Sequence, residues 1–98
     1  MDITVKELKE RLDKGEKVNL IDVREPYEYE EDNIGGELIP LGELPYRLDE
    51  LEDRKDDEVI TQCRSGARSA RAQQFLEQNG FTNVRNLTGG LMAYRAQE

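Results

Sequence analysis

The chain has 98 residues, enough for one domain with a single modest core, and 36% of them are hydrophobic. The 22 acidic residues against 14 basic ones leave a net charge of −8, which argues against nucleic acid and anionic membrane surfaces as partners. One cysteine excludes an intrachain disulfide, and the absence of histidine removes Ser-His-Asp and Cys-His dyads, His-based metal sites and the usual ligand sets of structural zinc.

The charged fraction of 37% is mixed in sign, so a folded globule is favoured over disorder. No apolar run approaches the roughly 18 residues a membrane span needs. No charged-then-apolar leader opens the chain. These features, with a single cysteine, lead us to expect a reducing, cytoplasmic setting.

The elements read in order as follows. Thr4-Val5-Lys6-Glu7 is a capping-box pattern that starts a helix running to about Lys14, before Gly15. Val18 to Asp22 reads as a buried strand. Pro26 opens a short acidic helical turn, and Leu38-Ile39 before Pro40 is a brief strand. Glu43 to about Leu51 is predicted helical, with Leu44, Leu48 and Leu51 on one face. Glu58 to Gln62 is a strand, Ala67 to Asn79 a helix with Ala72, Phe75 and Leu76 inward, and Gly80 its stop. Val84 to Leu87 is the final strand, and a last helix begins beyond Gly90. Strands alternating with helices predict a parallel sheet covered on both faces, with ligands beyond the carboxyl ends of its strands. Asp22 and Cys63 both fall at such ends. No linker or repeat divides the chain, so residues 1–98 form a single domain.

Cys63-Arg64-Ser65-Gly66-Ala67-Arg68-Ser69 joins a strand end to a helix start. A thiol in that position meets unpaired backbone N–H groups and the positive end of a helix dipole, both of which favour thiolate. Arg64 and Arg68 push the same way, and Ser65 and Ser69 add donors. A buried, inert core cysteine is the bland alternative, but its neighbours would be apolar rather than Arg-Ser-Gly. Cys63 is therefore the candidate nucleophile, and Arg64, Ser65, Gly66, Ala67 and Arg68 form an anion-binding loop around it. From Val59 to Leu76 there is no acid, so this loop is a cationic island on an acidic protein. The runs Glu25–Asp32 and Asp49–Glu58 read as solvated acidic surface. Asp22 and Arg24 read as a supporting pair: a salt bridge fixing the strand end, or charges on the pocket rim.

Cys63 to Ser69 with Ala70 and Ala72 resembles the active-site loop and following helix of rhodanese domains, the thiosulfate and persulfide sulfurtransferases. The resemblance spans nearly the whole chain in co-linear order. Leu20-Ile21-Asp22-Val23-Arg24-Glu25-Pro26-Tyr27-Glu28-Tyr29 is similar to the family's upstream signature. Ile39-Pro40-Leu41-Gly42-Glu43-Leu44 is similar to the segment before its middle helix. Gly80-Phe81-Thr82-Asn83-Val84 and Leu87-Thr88-Gly89-Gly90-Leu91 are similar to its last strand and closing turn. Asn33, where the family often has histidine, and Tyr94, where it often has tryptophan, depart from the pattern outside the loop.

The resemblance implies an α/β fold with a small parallel sheet of about five strands and helices on both faces. It implies a sulfurtransferase that needs no cofactor and no metal. A small anionic donor, thiosulfate or a persulfide, would load Cys63, and cyanide, a thiol or a protein sulfur acceptor would unload it. Arg64 would orient the donor, Arg68 brace the loop, and the N–H groups of residues 64 to 68 stabilise the charge. Gly89 and Gly90 would allow close backbone packing. Two other readings stand beside this one: a rhodanese-like binding module without turnover, and a relative of cysteine phosphatases or arsenate reductases. The related phosphatase loops are one residue longer, and phosphatases commonly carry a histidine where this chain has Gln62.

Overall fold

The apolar residues of the strands alternate between two destinations, and this sets the layers. Ile21, Val23 and Val59 join one buried cluster with Leu44, Leu51, Ala72 and Leu76. Leu20, Ile60 and Leu87 join a second with Ile3, Leu8 and Tyr94. A sheet with apolar residues on both faces must be covered on both. The computed structural model describes residues 1–97. It contains helices α1 (Val5–Asp13), α2 (Pro26–Glu31), α3 (Ala67–Gln78) and α4 (Gly90–Ala96), and strands β1 (Leu20–Asp22), β2 (Glu37–Leu38), β3 (Glu58–Gln62) and β4 (Asn83–Asn86). No helix among the described residues is long and apolar enough to cross a membrane.

The sheet is wholly parallel, in the order β2-β1-β3-β4. It has four strands rather than about five; Ile3 makes an isolated parallel bridge to Leu87, where a further edge strand would lie. α3 and the segment from Leu41 to Arg54 cover one face, α1 and α4 the other.

Several boundaries differ from the sequence reading. The helix expected over Glu43 to Leu51 is two 3₁₀ segments, Leu41–Tyr46 and Leu48–Arg54, parted at Arg47. Pro45 inside the first segment lacks an N–H and crowds the preceding turn, which breaks a regular α-helix. The leucine spacing still works, because Leu44 and Leu51 are buried. Thr4 caps α1 by accepting the Glu7 N–H at 3.1 Å, but Glu7 does not close a capping box. Its carboxylate instead takes Arg85 at 2.8 Å.

After β1 the chain turns to β2 on one side, and β3 then takes its place on the other. The strand order therefore reverses between β1 and β3, where Asp22 is in register with Gln62. The loops leaving these two strands diverge and open a crevice, the usual ligand position in such sheets.

Candidate active site

Cys63 is the first residue beyond β3, and its side chain turns into the core cluster under α3, leaving it 1% exposed. Gly66 holds φ +107°, a conformation that suits glycine, and the chain there curls back around the sulfur into α3. The Gly66 N–H donates to Cys63 Sγ at 3.1 Å. The Ser69 N–H and the Ser69 hydroxyl each lie 3.3 Å from it. Burial pushes the Cys63 thiol up, but the Ser69 hydroxyl and the N–H groups of Ser69, Gly66 and Ser65 outweigh it, and the thiol lies below its ordinary value. The donors on Sγ are thus Ser65, Gly66 and Ser69.

The carbonyl side of the loop is held away from the sulfur. Cys63 O accepts from Leu91 N–H at 2.9 Å and from Gln62 Nε2 at 3.0 Å, and Arg64 O accepts from Met92 N–H at 3.0 Å. The start of α4 therefore binds the loop's oxygens, so its N–H groups can face inward. Gly90, φ +60°, makes this approach possible, since a Cβ there would lie 2.5 Å from both carbonyl oxygens. The packing role expected of the glycine pair is what the structure shows at Gly90.

The two arginines part company. Arg68 donates to both oxygens of Glu28 at 2.7 and 2.9 Å, tying the start of α3 to α2. This guanidinium holds the Glu28 carboxyl at about 2. Attraction to Cys63 is a lesser influence on Arg68 than this pairing. Activation of the sulfur thus comes chiefly from hydrogen bonds, not from both cations equally. Arg64 is exposed and lines a cleft of about 450 Å³ with Arg24, Tyr27, Glu28, Leu91 and Met92. Ser65 and Ala67 are exposed on the outer turn of the loop.

Asp22 is fully buried and Arg24 nearly so. Arg24 donates through Nε and Nη2 to the Asp22 carboxylate, Nη2 at 2.8 Å. It also reaches the carbonyls of Glu28 at 3.3 Å and Asp32 at 2.8 Å. The pair is a clasp that holds α2 against β1, and the Arg24 side chain also borders the cleft.

Glu28 and Asn86 were not singled out from the sequence, and Ser69 was placed only loosely. Glu28 was read with the solvated acids, yet its side chain is only 16% exposed and is matched to Arg68. A cationic island facing an acidic run was the available signal. Ser69 was counted as a donor near the loop, but its position on the sulfur comes from the first turn of α3. Asn86, at the end of β4, accepts from the Ser69 hydroxyl and donates to the Gly66 carbonyl, and nothing in its local sequence marked it.

The arrangement places the Cys63 sulfur in a ring of donors beneath a cleft at the carboxyl ends of β1 and β3. Comparison with known proteins places the chain among relatives. A relative from Allochromatium vinosum named Sulfurtransferase is 39% identical over 94 residues, covering 95% of this chain and 86% of its own. A Bacillus subtilis relative, YrkF, is 38% identical over 91 residues, or 92% of this chain, but this chain spans only 48% of it. The crystal structure of a Rhodanese-like Domain Protein from Staphylococcus aureus superposes with a TM-score of 0.85 at 33% identity, covering 96% of this chain and 91% of that one. The family described as the Rhodanese-like domain matches residues 4–97, and the chain belongs to it.

Proposed function

We propose that the protein is a sulfurtransferase that carries sulfane sulfur on Cys63. The observation that supports this most is the convergence of the Gly66 N–H, the Ser69 N–H and the Ser69 hydroxyl on one sulfur, at 3.1 to 3.3 Å. Such a ring favours a sulfur anion without a base, which suits attack on another sulfur. With thiosulfate, the Cys63 thiolate attacks the outer sulfur. The new S–S bond forms as the thiosulfate S–S bond breaks, sulfite leaves with the electron pair, and Cys63 is left as a persulfide anion. Cyanide then takes the outer sulfur as thiocyanate, or a thiolate takes it as a new persulfide, and the Cys63 thiolate returns. Arg64 on the cleft attracts the anionic donor. Arg68, held by Glu28, braces the loop. The relatives named for sulfur transfer support the reaction class.

The test is the intact mass of the reduced protein after thiosulfate, and separately after polysulfide, with Cys63→Ser in parallel. We expect a gain of one sulfur atom, reversed by cyanide and absent in the folded variant. Turnover that persists in Cys63→Ser would remove Cys63 from the mechanism.

One observation favours a second reading. Cys63 is 1% exposed and does not itself line the cleft. A binding module without turnover would have such a sheathed sulfur. Failure to load sulfur from either donor would support that reading.

A further inference from the structure

Asn86 closes β4 and is 7% exposed. Its side-chain amide faces two residues of the active-site loop. Nδ2 donates to the Gly66 carbonyl oxygen at 3.1 Å, and Oδ1 accepts from the Ser69 hydroxyl at 2.5 Å. The first bond fixes the amide's orientation. Turned over, it would set Oδ1 against the Gly66 carbonyl, two acceptors with no proton between them. The backbone is anchored too: the Asn86 N–H donates to the Asp2 carboxylate at 3.2 Å, and its carbonyl accepts from Ile3 N–H at 3.1 Å.

The Ser69 hydroxyl also stands 3.3 Å from Cys63 Sγ. A hydroxyl has one proton and cannot serve both acceptors at once. The contact to Asn86 is the shorter. A neutral thiol needs no donor from Ser69 and can itself donate to Oγ. An anionic sulfur attracts the proton.

We propose that Asn86 is a positioning residue for sulfur transfer: its amide clamps Gly66 and Ser69, and its Oδ1 competes with the Cys63 sulfur for the Ser69 proton. The hydroxyl then turns to the sulfur only when the sulfur carries charge, as thiolate or as terminal persulfide. Ser69 promotes the anion and Asn86 restrains it. The inference rests on the reading of Cys63 as the reacting sulfur. The charged groups on the surrounding elements are Arg64 and Arg68, Glu28 against Arg68, the Asp22–Arg24 pair, the Asp32–Arg95 pair, and Asp2 beside Asn86. Alkylation proceeds through the thiolate, so its profile through neutral and alkaline pH reads the thiol.

The experiment is the pH dependence of iodoacetamide alkylation of Cys63 in the unaltered chain, Asn86→Ala, Ser69→Ala and the double variant. We expect Asn86→Ala to lower the midpoint by about half a pH unit, about threefold more thiolate at a fixed pH below it. Ser69→Ala should raise the midpoint, and adding Asn86→Ala to it should bring no lowering. An unchanged or higher midpoint in Asn86→Ala overturns the proposal, as does an equal shift in the Ser69→Ala background. Where circular dichroism shows Asn86→Ala unfolded, Asn86→Asp carries the test. Its stronger acceptor should raise the midpoint more with Ser69 present than without it, and equal rises overturn the proposal. Alkylation needs no turnover, so sulfur loading of the unaltered chain separately decides the sulfurtransferase reading.

Discussion

Gly90 stands so close to the Cys63 carbonyl that a Cβ at position 90 would come within 2.5 Å of its oxygen, and within 2.5 Å of the Arg64 carbonyl oxygen as well. The helix that follows holds both oxygens with the Leu91 and Met92 N–H groups. A backbone contact between two loops far apart in sequence thus decides which way the peptide groups around the sulfur face.

Gly90→Ala places a side chain against two backbone oxygens and at a positive φ. Neither oxygen can move without breaking the bonds that orient the loop. The variant should lose about 3 kcal/mol of stability, read as a fall in denaturant midpoint. Its folded fraction should also alkylate with a higher thiol midpoint, because the N–H ring is disturbed. A denaturant midpoint equal to that of the unaltered chain would show that α4 and the loop can separate at no cost.

Glu28→Gln removes the charge that holds Arg68. The Glu28 carboxyl lies at about 2 when folded, against an ordinary 4.5, so it is depressed. Its contribution to stability is therefore fully present above about pH 4.5 and is lost as pH falls through about 2. Arg68 is 35% exposed, so screening trims the contribution to about 1 kcal/mol. Urea denaturation should show the variant less stable than the unaltered chain at neutral pH, with the gap closing on acidification. A gap that widens toward low pH would contradict the pairing.

Arg64→Ala should leave the fold intact, since the side chain is exposed on the cleft. With thiosulfate as donor, KM should rise about fivefold, the effect of losing about 1 kcal/mol of charge-assisted attraction, with kcat little changed. The rate in the variant should also depend less on ionic strength. Steady-state kinetics at two salt concentrations check both. An unaltered KM would remove Arg64 from donor binding.

Alternating elements, the parallel sheet and the position of Cys63 at a strand end were all legible from local signals. β3 was read at Glu58 to Gln62 and is found there, because Val59 and Ile60 are β-branched and buried on opposite faces. The middle helix was misread because leucine spacing is shared by a 3₁₀ run over a few residues, and Pro45 decided between them.

What the sequence by itself determined is the order of the elements, the single cysteine at a strand end and the glycine-built loop that turns a helix start toward it. Those are properties of neighbouring residues: periodicity, a conformation that suits glycine, and the orphan donors of a first helical turn. Only the tertiary structure decided who completes the site. Glu28 lies 40 residues from Arg68, and Asn86 lies 17 from Ser69. Their meeting depends on β1 and β4 flanking β3 in the sheet. Hydrogen bonds and ion pairs act over a few ångströms of space, and no periodicity along the chain encodes which distant side chains the sheet will bring within that reach.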